Sequence, residues 1–437
     1  MPIRSCLFQR SVLIGLGGAL LTACAAAQPR YHADWPVLHQ KVSRQTELLD
    51  GPVPPLKESW SFQTEGRLLY PPIVHEGVVY FGSRDSQIYA VDAATGSELW
   101  SEPVDVGGLF SSLSFVNGRL YGGRWNPFYF VYGWDAATGQ TLWQKQTGDL
   151  VNRPPWVLAQ SLPAPSDASA SGAPATLLFT HQDPPFGAPL EEQKVVETAW
   201  RIAAEPTAQP EKVWERPLPG IPTVAPALDI KQERLFMALD NQQFYALSPA
   251  TGEVLWQQTL AGEPASAPLV TPAGVYLSTR NGYLYAFDGR SGALKWRYQF
   301  VDAALMGDLA MAEQQLLIPG ERILYTFDIG SREPGWKYRF PGLITAPVVT
   351  HDHVYVGSAT RALFVLDRQK GYILGTHPVG GEVLASPVPV GGKVFVACTD
   401  GKLYALEEGP RPKQMRPDQV NQMNRPATPR KPTTSRW

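Results

Sequence analysis

His351-Asp352-His353 sets two imidazoles two residues apart, a spacing that could present a pair of metal ligands. No third ligand is evident beside them. The triplet also falls where a turn between two strands is expected, in line with His75-Glu76-Gly77, so a plain turn is the competing reading. The chain has three cysteines, Cys6, Cys24 and Cys398. Cys398 ends the apolar run Val394-Phe-Val-Ala-Cys398 and reads as a buried core thiol, the alternative being a reactive one. The sequence carries no phosphate loop, nucleophile elbow or zinc-spaced cysteine set. Chemistry is therefore thin, and the elements that would position it carry more information.

Apolar residues make up 44% of the 437 and charged residues 18%, which supplies a core and excludes global disorder. A formal charge of -2 gives no general case for nucleic-acid binding. With 41 Pro and 39 Gly beside 13 Trp and 17 Tyr, the composition suits many short strands joined by tight turns. No stretch reads as a long amphipathic helix.

A repeat organises those strands. Tryptophan recurs at 60, 100, 143, 214, 256, 296 and 336. Around each the same phrase returns, as in Gly77-Val-Val-Tyr-Phe-Gly, Ile88-Tyr-Ala-Val-Asp92, Thr95-Gly96 and Leu99-Trp100. Units also open on a small residue or Pro and an apolar strand, as in Ala267-Pro-Leu-Val270. Each unit thus holds four strands: a at the opening phrase, b at Val-Tyr-Val-Gly, c at Leu-Tyr-Ala-Leu-Asp, d at the Trp. Four strands in about 40 residues is the period of a β-propeller blade. Asp and Thr-Gly or Ser-Gly make the c–d turn, Gly supplying positive φ. Asn281-Gly282 and Asp400-Gly401 mark b–c hairpins. The Trp offers a flat face for packing between blades.

Seven units end at Trp100, Trp143, Trp214, Trp256, Trp296, Trp336 and Gly375, and an eighth stops at Leu406 after three strands. Its missing strand d stands at the other end, in Glu58-Ser-Trp60-Ser-Phe62. The expected fold is all-β: an eight-bladed propeller of four-stranded antiparallel blades over 57–406, closed by pairing of the N-terminal strand with the last unit. Unit three, about 155–218, is enlarged. Its strand a is expected near Pro155-Trp-Val-Leu158 and is followed by a low-complexity loop, Ser161–Ala175. The insertion reads as a tolerated surface loop or as a partner contact.

The Tyr-Ala-Leu-Asp, Thr-Gly and Trp phrase resembles the PQQ-like, or quinoprotein, repeat over most of 57–406. Two groups share it: quinone-dependent dehydrogenases and non-catalytic lipoproteins similar to BamB, a component of outer-membrane β-barrel assembly. The dehydrogenase resemblance implies an adjacent Cys-Cys pair and carboxylate ligands for calcium around the channel. This chain has no such pair, and its strand-a phrases offer few acids, Asp229 and Asp308. No cofactor and no catalytic residue are therefore expected. The BamB resemblance implies a BamA-like barrel protein as partner, met at loops between middle blades. Here these are Leu218-Pro219-Gly220 and Glu263-Pro264-Ala265, with Leu218 the apolar and Glu263 the acidic contact. Pro219 stands where that family has Arg, and Ala265 where it has Asp.

At the N-terminus, Arg4 and Arg10 precede the apolar run 12–21, too short to span a membrane and fitted to a signal peptide. The run ends in Leu21-Thr22-Ala23-Cys24, which resembles a bacterial lipobox. That implies a signal at 1–23, lipid on Cys24 and, since Ala25 is not Asp, the outer membrane. An ordinary secretory signal cut near Ala25–Ala27 is the alternative. With Cys24 modified and Cys6 removed, Cys398 has no disulfide partner. Residues 24–56 form a spacer with a short helical patch at Leu38–Leu49. The end, 407–437, reads as disordered. From Gly409 it carries seven basic residues and one acid, while 24–408 holds 29 basic and 39 acidic. Such a tail suits anionic lipid, lipopolysaccharide or cell-wall polymer, or is a solvated appendage.

The leading expectation is a lipid-anchored outer-membrane scaffold facing the periplasm, assisting β-barrel assembly. The alternatives are a binding module for another envelope partner or cell-wall polymer and, third, a quinone-dependent dehydrogenase.

Overall fold

The computed structural model describes residues 50–104, 112–124, 129–148, 158–161, 176–182, 195–202, 208–301 and 303–410. The signal segment, Cys24, the Leu38–Leu49 patch, the expected low-complexity loop from residue 162 to 175 and the tail beyond Pro410 lie outside the described residues. All regular elements among the described residues are strands, and the fold is an all-β propeller of four-stranded antiparallel blades. No helix there is long and apolar enough to cross a membrane.

Seven blades are built from four consecutive strands each: blade 1 (73–103), blade 2 (114–148), blade 3 (158–218), blade 4 (227–259), blade 5 (269–299), blade 6 (310–339) and blade 7 (348–378). The eighth unit counted in the sequence is a composite. Val388–Val390, Lys393–Ala397 and Lys402–Glu408 come from the C-terminal end, and Leu56–Gln63 joins them from the N-terminal end. Leu56 lies opposite Glu408 and Trp60 opposite Ala405 in antiparallel register. We term this the closing sheet. In blade 3 the first strand is Leu158–Ser161, later than the expected Pro155–Leu158, because it pairs with Thr176–Gln182.

Among the described residues the core lies between neighbouring sheets, in eight apolar clusters. Ile73 and Tyr80 of blade 1 meet Leu120 and Trp134 of blade 2. Tyr121 and Trp143 of blade 2 meet Trp200 of blade 3, and Trp214 of blade 3 meets Met237 of blade 4. The series continues from blade 4 to blade 7. Tyr355 of blade 7 then meets Val396 of the closing sheet, and Trp60 and Phe395 of that sheet meet Val79 of blade 1. The last cluster returns to the first blade, so the sheets form a closed ring. Alternation puts apolar side chains on both faces of the inner strands. The outermost strands bury only one face, as in Val254–Thr259, where half-buried and exposed residues alternate.

The expected Trp packing acquires a mechanism. Among the described residues, the indoles of five d strands reach the c–d turn of the next blade. Trp60 donates from Nε1 to Ala93 O (3.1 Å), Trp100 to Ala136 O (3.1 Å), Trp214 to Pro249 O (2.9 Å), Trp256 to Gly289 O (3.1 Å) and Trp336 to Arg368 O (2.9 Å). The turn is wound by Asp: Asp92 Oδ1 accepts from Ala94 N, Thr95 N and Thr95 Oγ1. The weakened turn in blade 6 has Arg332 at φ 62° where blades 1, 2, 4, 5 and 7 have Gly. Trp296 there packs on Phe327, ring centroids 5.3 Å apart.

Candidate partner-docking face

Two faces differ in make-up. One carries the a–b and c–d turns. The other carries the b–c turns and the linkers from each d strand to the next strand a. The linkers are pinned to the b–c turns by short polar side chains. Ile221 N donates to Asp240 Oδ1 (2.8 Å) and Asp240 N to Ile221 O (2.8 Å). Asn281 Nδ2 donates to Ala261 O (2.9 Å), and Glu65 N to Asp85 Oδ2 (3.0 Å). Asp400 accepts from Tyr404 Oη (2.8 Å), and burial first, then that bond, pushes the phenol up to about 12. These acids and amides are spent on holding loops.

The two residues proposed as contacts sit differently. Leu218 ends the strand Glu211–Leu218 and is buried, 5% exposed, against Leu228, Leu235 and Leu239. An apolar side chain at a strand end finds the inter-blade core before it finds solvent. Leu218 is therefore not the exposed apolar contact that the resemblance implied. Pro219 O accepts from Asn241 Nδ2 (3.2 Å), which fastens the loop that follows. Glu263 is at the surface, its side chain 57% exposed, with Oε2 3.5 Å from Arg280 Nε. Ala265 is buried. The exposed apolar residues on this face are others: Val301 (79%), Met306, Leu343 and Leu384, on the three linkers after blades 5, 6 and 7. Their signal was present in sequence for Leu343 alone, a large apolar residue between a Trp strand and the Ala346-Pro347 phrase.

The turn face answers the chemical questions. His351-Asp352-His353 is an a–b turn, with Thr350 N donating to His353 O (2.9 Å). Its carbonyls hold Arg368, which is 3% exposed: Arg368 N donates to Asp352 O (2.9 Å), Nε to His351 O (2.7 Å) and Nη2 to Glu313 Oε1 (3.3 Å). Arg368 thus ties blade 7 to blade 6. His353 is half-buried, which lowers its pKa. Clefts of about 440 Å³ and 390 Å³ flank Glu313 and Gln314, between blades 5 and 6 and blades 6 and 7. Cys398 is fully buried and burial pushes its thiol well up, as expected of a core cysteine.

Among the described residues, the acids that the dehydrogenase resemblance would assign to calcium do not assemble. Asp229 Oδ1 accepts from Lys231 N (3.0 Å) and Gln232 N (3.1 Å) in an a–b turn. Asp308 Oδ1 accepts from Ala267 N (2.8 Å). Among the described residues no group of three or more His, Cys, Asp or Glu could hold a metal ion. The donors present do not fit that cofactor.

A ring of antiparallel four-stranded blades, most of them stapled to the next by a Trp and a turn, defines a quinoprotein-type β-propeller. The model of the family described as outer membrane protein assembly factor BamB matches residues 57–123, 197–322 and 320–411. The chain belongs to that family. Among solved structures, BamB from Moraxella catarrhalis is similar with a TM-score of 0.58 at 16% identity, covering 80% of this chain and 99% of the other. Quinohemoprotein alcohol dehydrogenase from Comamonas testosteroni is similar with a TM-score of 0.65 at 14% identity, covering 87% and 82%. In sequence, the curated Comamonas testosteroni enzyme is 26% identical over 147 residues, 30% of this chain and 20% of its own length. A Pseudomonas putida counterpart is 33% identical over 86 residues, 12% of its length. The chain thus spans a fifth or less of these curated relatives.

Proposed function

We propose that this protein is a non-catalytic envelope scaffold that assists assembly of outer-membrane β-barrel proteins, held at the outer membrane by lipid on Cys24 with the propeller in the periplasm. The observation that carries the reading is the use of the polar side chains. Asp85, Asp240 and Asn281 pin linkers, Asp400 holds the Tyr404 hydroxyl that accepts from Gly380 N of a linker, Asp229 and Asp308 cap backbone, and Arg368 staples two blades. The linkers are left as a braced surface with exposed side chains, and the family match supplies the setting.

The partner is a BamA-like barrel protein docking on the linkers after blades 3 and 4. Glu263 makes the charged contact, while Leu218 acts from beneath by anchoring Pro219-Gly220. Crosslinking in cells followed by pull-down tests this. Recovery of a barrel protein through residues 219–221 and 262–264 is expected. Consistent recovery of cell-wall polymer or another envelope protein instead would replace the reading by a general binding module.

A further inference from the structure

We infer that the cleft between blades 5 and 6 on the turn face is a peptide-binding site, in which Trp296 Nε1 donates to a backbone carbonyl of an extended, uncharged segment of another chain. The site lies apart from the linkers and does not rest on the docking reading above.

The sibling junctions show what this indole is built to hold. In five of them Nε1 donates to the carbonyl of the second residue of the turn: Ala93, Ala136, Pro249, Gly289 and Arg368. The equivalent residue for Trp296 is Ile329, and that bond is not made. Trp296 Nε1 has no acceptor among the described residues, yet it is not sealed from solvent. The ring packs instead on Tyr276 (5.9 Å between centroids) and Phe327 (5.3 Å) and lines a cleft of about 440 Å³. One residue accounts for the difference. The turn at Asp328 is wound as its siblings are: Arg332 N donates to Asp328 O (2.9 Å) as Gly292 N does to Asp288 O (2.8 Å), with φ of 62° and 75°. At Gly292 an added Cβ would fall 2.6 Å from Trp256 Cδ2. Arg332 carries that Cβ, so the indole of Trp296 cannot come down onto the turn, and the cleft stays open. A side chain in this left-handed region also strains the turn, which glycine would not.

The lining fixes the chemistry of the occupant. Lys295 Nζ donates to Ala273 O (2.8 Å) and lies 3.6 Å from Asp288 Oδ2, while Glu313 Oε1 lies 3.3 Å from Arg368 Nη2. The charges at the rim are thus already paired, and a neutral occupant suits them. Pro272, Met311 and Ile329 supply apolar wall. Across the a–b turn of blade 6, Gln315 Oε1 is buried without a donor and lines the adjoining cleft of about 390 Å³. An unpaired N–H donor and an unpaired acceptor match the peptide unit, which carries both C=O and N–H. The two clefts share Glu313 and Gln314, so a segment running from one to the other presents successive peptide units. Small apolar side chains suit the walls. Proline suits the Trp296 end, because it offers a carbonyl and brings no N–H to be left unsatisfied. The bond from Trp214 to Pro249 O (2.9 Å) is an internal example of that pairing. Aromatic-lined grooves take extended segments in this way.

The test titrates the full chain with the capped peptide acetyl-Ala-Pro-Ala-Pro-Ala-Pro-amide. Indole N–H resonances are followed by NMR, with Trp296 assigned from the Trp296→Phe variant, and affinity is read by calorimetry. The Trp296 resonance is expected to move downfield as its N–H meets a carbonyl. Trp296→Phe, with thermal unfolding as a fold control, is expected to weaken binding by about tenfold or more. Arg332→Gly supplies the second arm. It is expected to let the indole down onto the turn, raise the unfolding midpoint and weaken peptide binding by about tenfold or more. Unchanged binding in either folded variant, or no Trp296 shift at millimolar peptide, overturns the proposal. So does a Trp296 shift with chitotriose and none with the peptide, which would make a glycan the occupant.

Discussion

The indole of Trp60 lies flat against Gly96, two residues far apart in the chain. A Cβ added at Gly96 would fall 2.6 Å from Trp60 Cδ2, and Gly96 holds φ 74°. The same pairing joins Trp100 to Gly139, Trp214 to Gly252, Trp256 to Gly292 and Trp336 to Gly371. Glycine serves twice here, for the turn and for the missing side chain. Gly96→Ala is expected to destabilise by about 2 kcal/mol or more. Trp60→Ala removes a buried indole and is expected to cost about 3–5 kcal/mol. Urea unfolding by fluorescence checks both, and unchanged midpoints would remove the pair's role in closing the ring.

Blade 7 has Gly375 where the others have Trp, and the partner at that junction is Pro54. A Cβ added at Gly375 would fall 2.5 Å from Pro54 Cβ. The closing sheet has no c–d turn to receive an indole, since its fourth strand comes from the other end of the chain. The lead occupies the place instead. Gly375→Trp, although it restores the repeat, is therefore expected to displace the lead. Limited proteolysis should then cut near residues 50–56 faster by about tenfold, a loss of about 1.4 kcal/mol of local protection.

Glu407 couples ring closure to pH. Hydrogen bonds from Lys393, Lys57 and Ser59 hold its carboxyl down to about 2. A depressed acid stabilises the fold above its unfolded pKa and loses that contribution as pH falls through the folded value. Stability should therefore drop between about pH 4.5 and pH 2. The Glu407→Gln variant should start lower at neutral pH and lose this part of the slope, as read from thermal midpoints across that range.

Glu197 works in the opposite sense. It is 2% exposed in the strand Val195–Ile202, and burial pushes its carboxyl well above the usual range. Arg216 lies opposite in register and donates from Nη1 to Gly252 O (3.1 Å). A raised acid favours the fold below its unfolded pKa and loses that contribution as pH rises. Glu197→Gln is thus expected to raise the unfolding midpoint at pH 7, with the gain vanishing below about pH 4.5.

Glu263 and Arg280 form an exposed pair, so Glu263→Lys should change stability by about 0.5 kcal/mol or less. The same change is expected to weaken partner capture by at least about tenfold if this linker is the contact. Full capture by a folded Glu263→Lys chain would move the docking site elsewhere on the ring.

Strand identity and ring closure were legible because they follow local rules. Alternating Tyr and Val, an Asp-wound turn and a period near 40 residues mark each unit, and Trp60 without preceding strands signals a borrowed edge. The Trp–Gly clamp was half legible, since the turn explained Gly while the neighbour's indole needed coordinates. The depth of Leu218 was not legible because motif position does not report it: it lies in a loop phrase yet faces Leu228 and Leu235. The roles of Asp85 and Asp240 were hidden for a similar reason, since a carboxylate looks alike in sequence whether it meets a ligand or a linker amide.

The composite sheet also sets a rule for synthesis. The strand Leu56–Gln63 is made first, but the strand it bonds to, Lys402–Glu408, is made last. Until then Trp60 has no wall behind it. Ring closure thus waits for the last of these strands, and any chain interrupted before that strand carries an open edge that proteases can recognise.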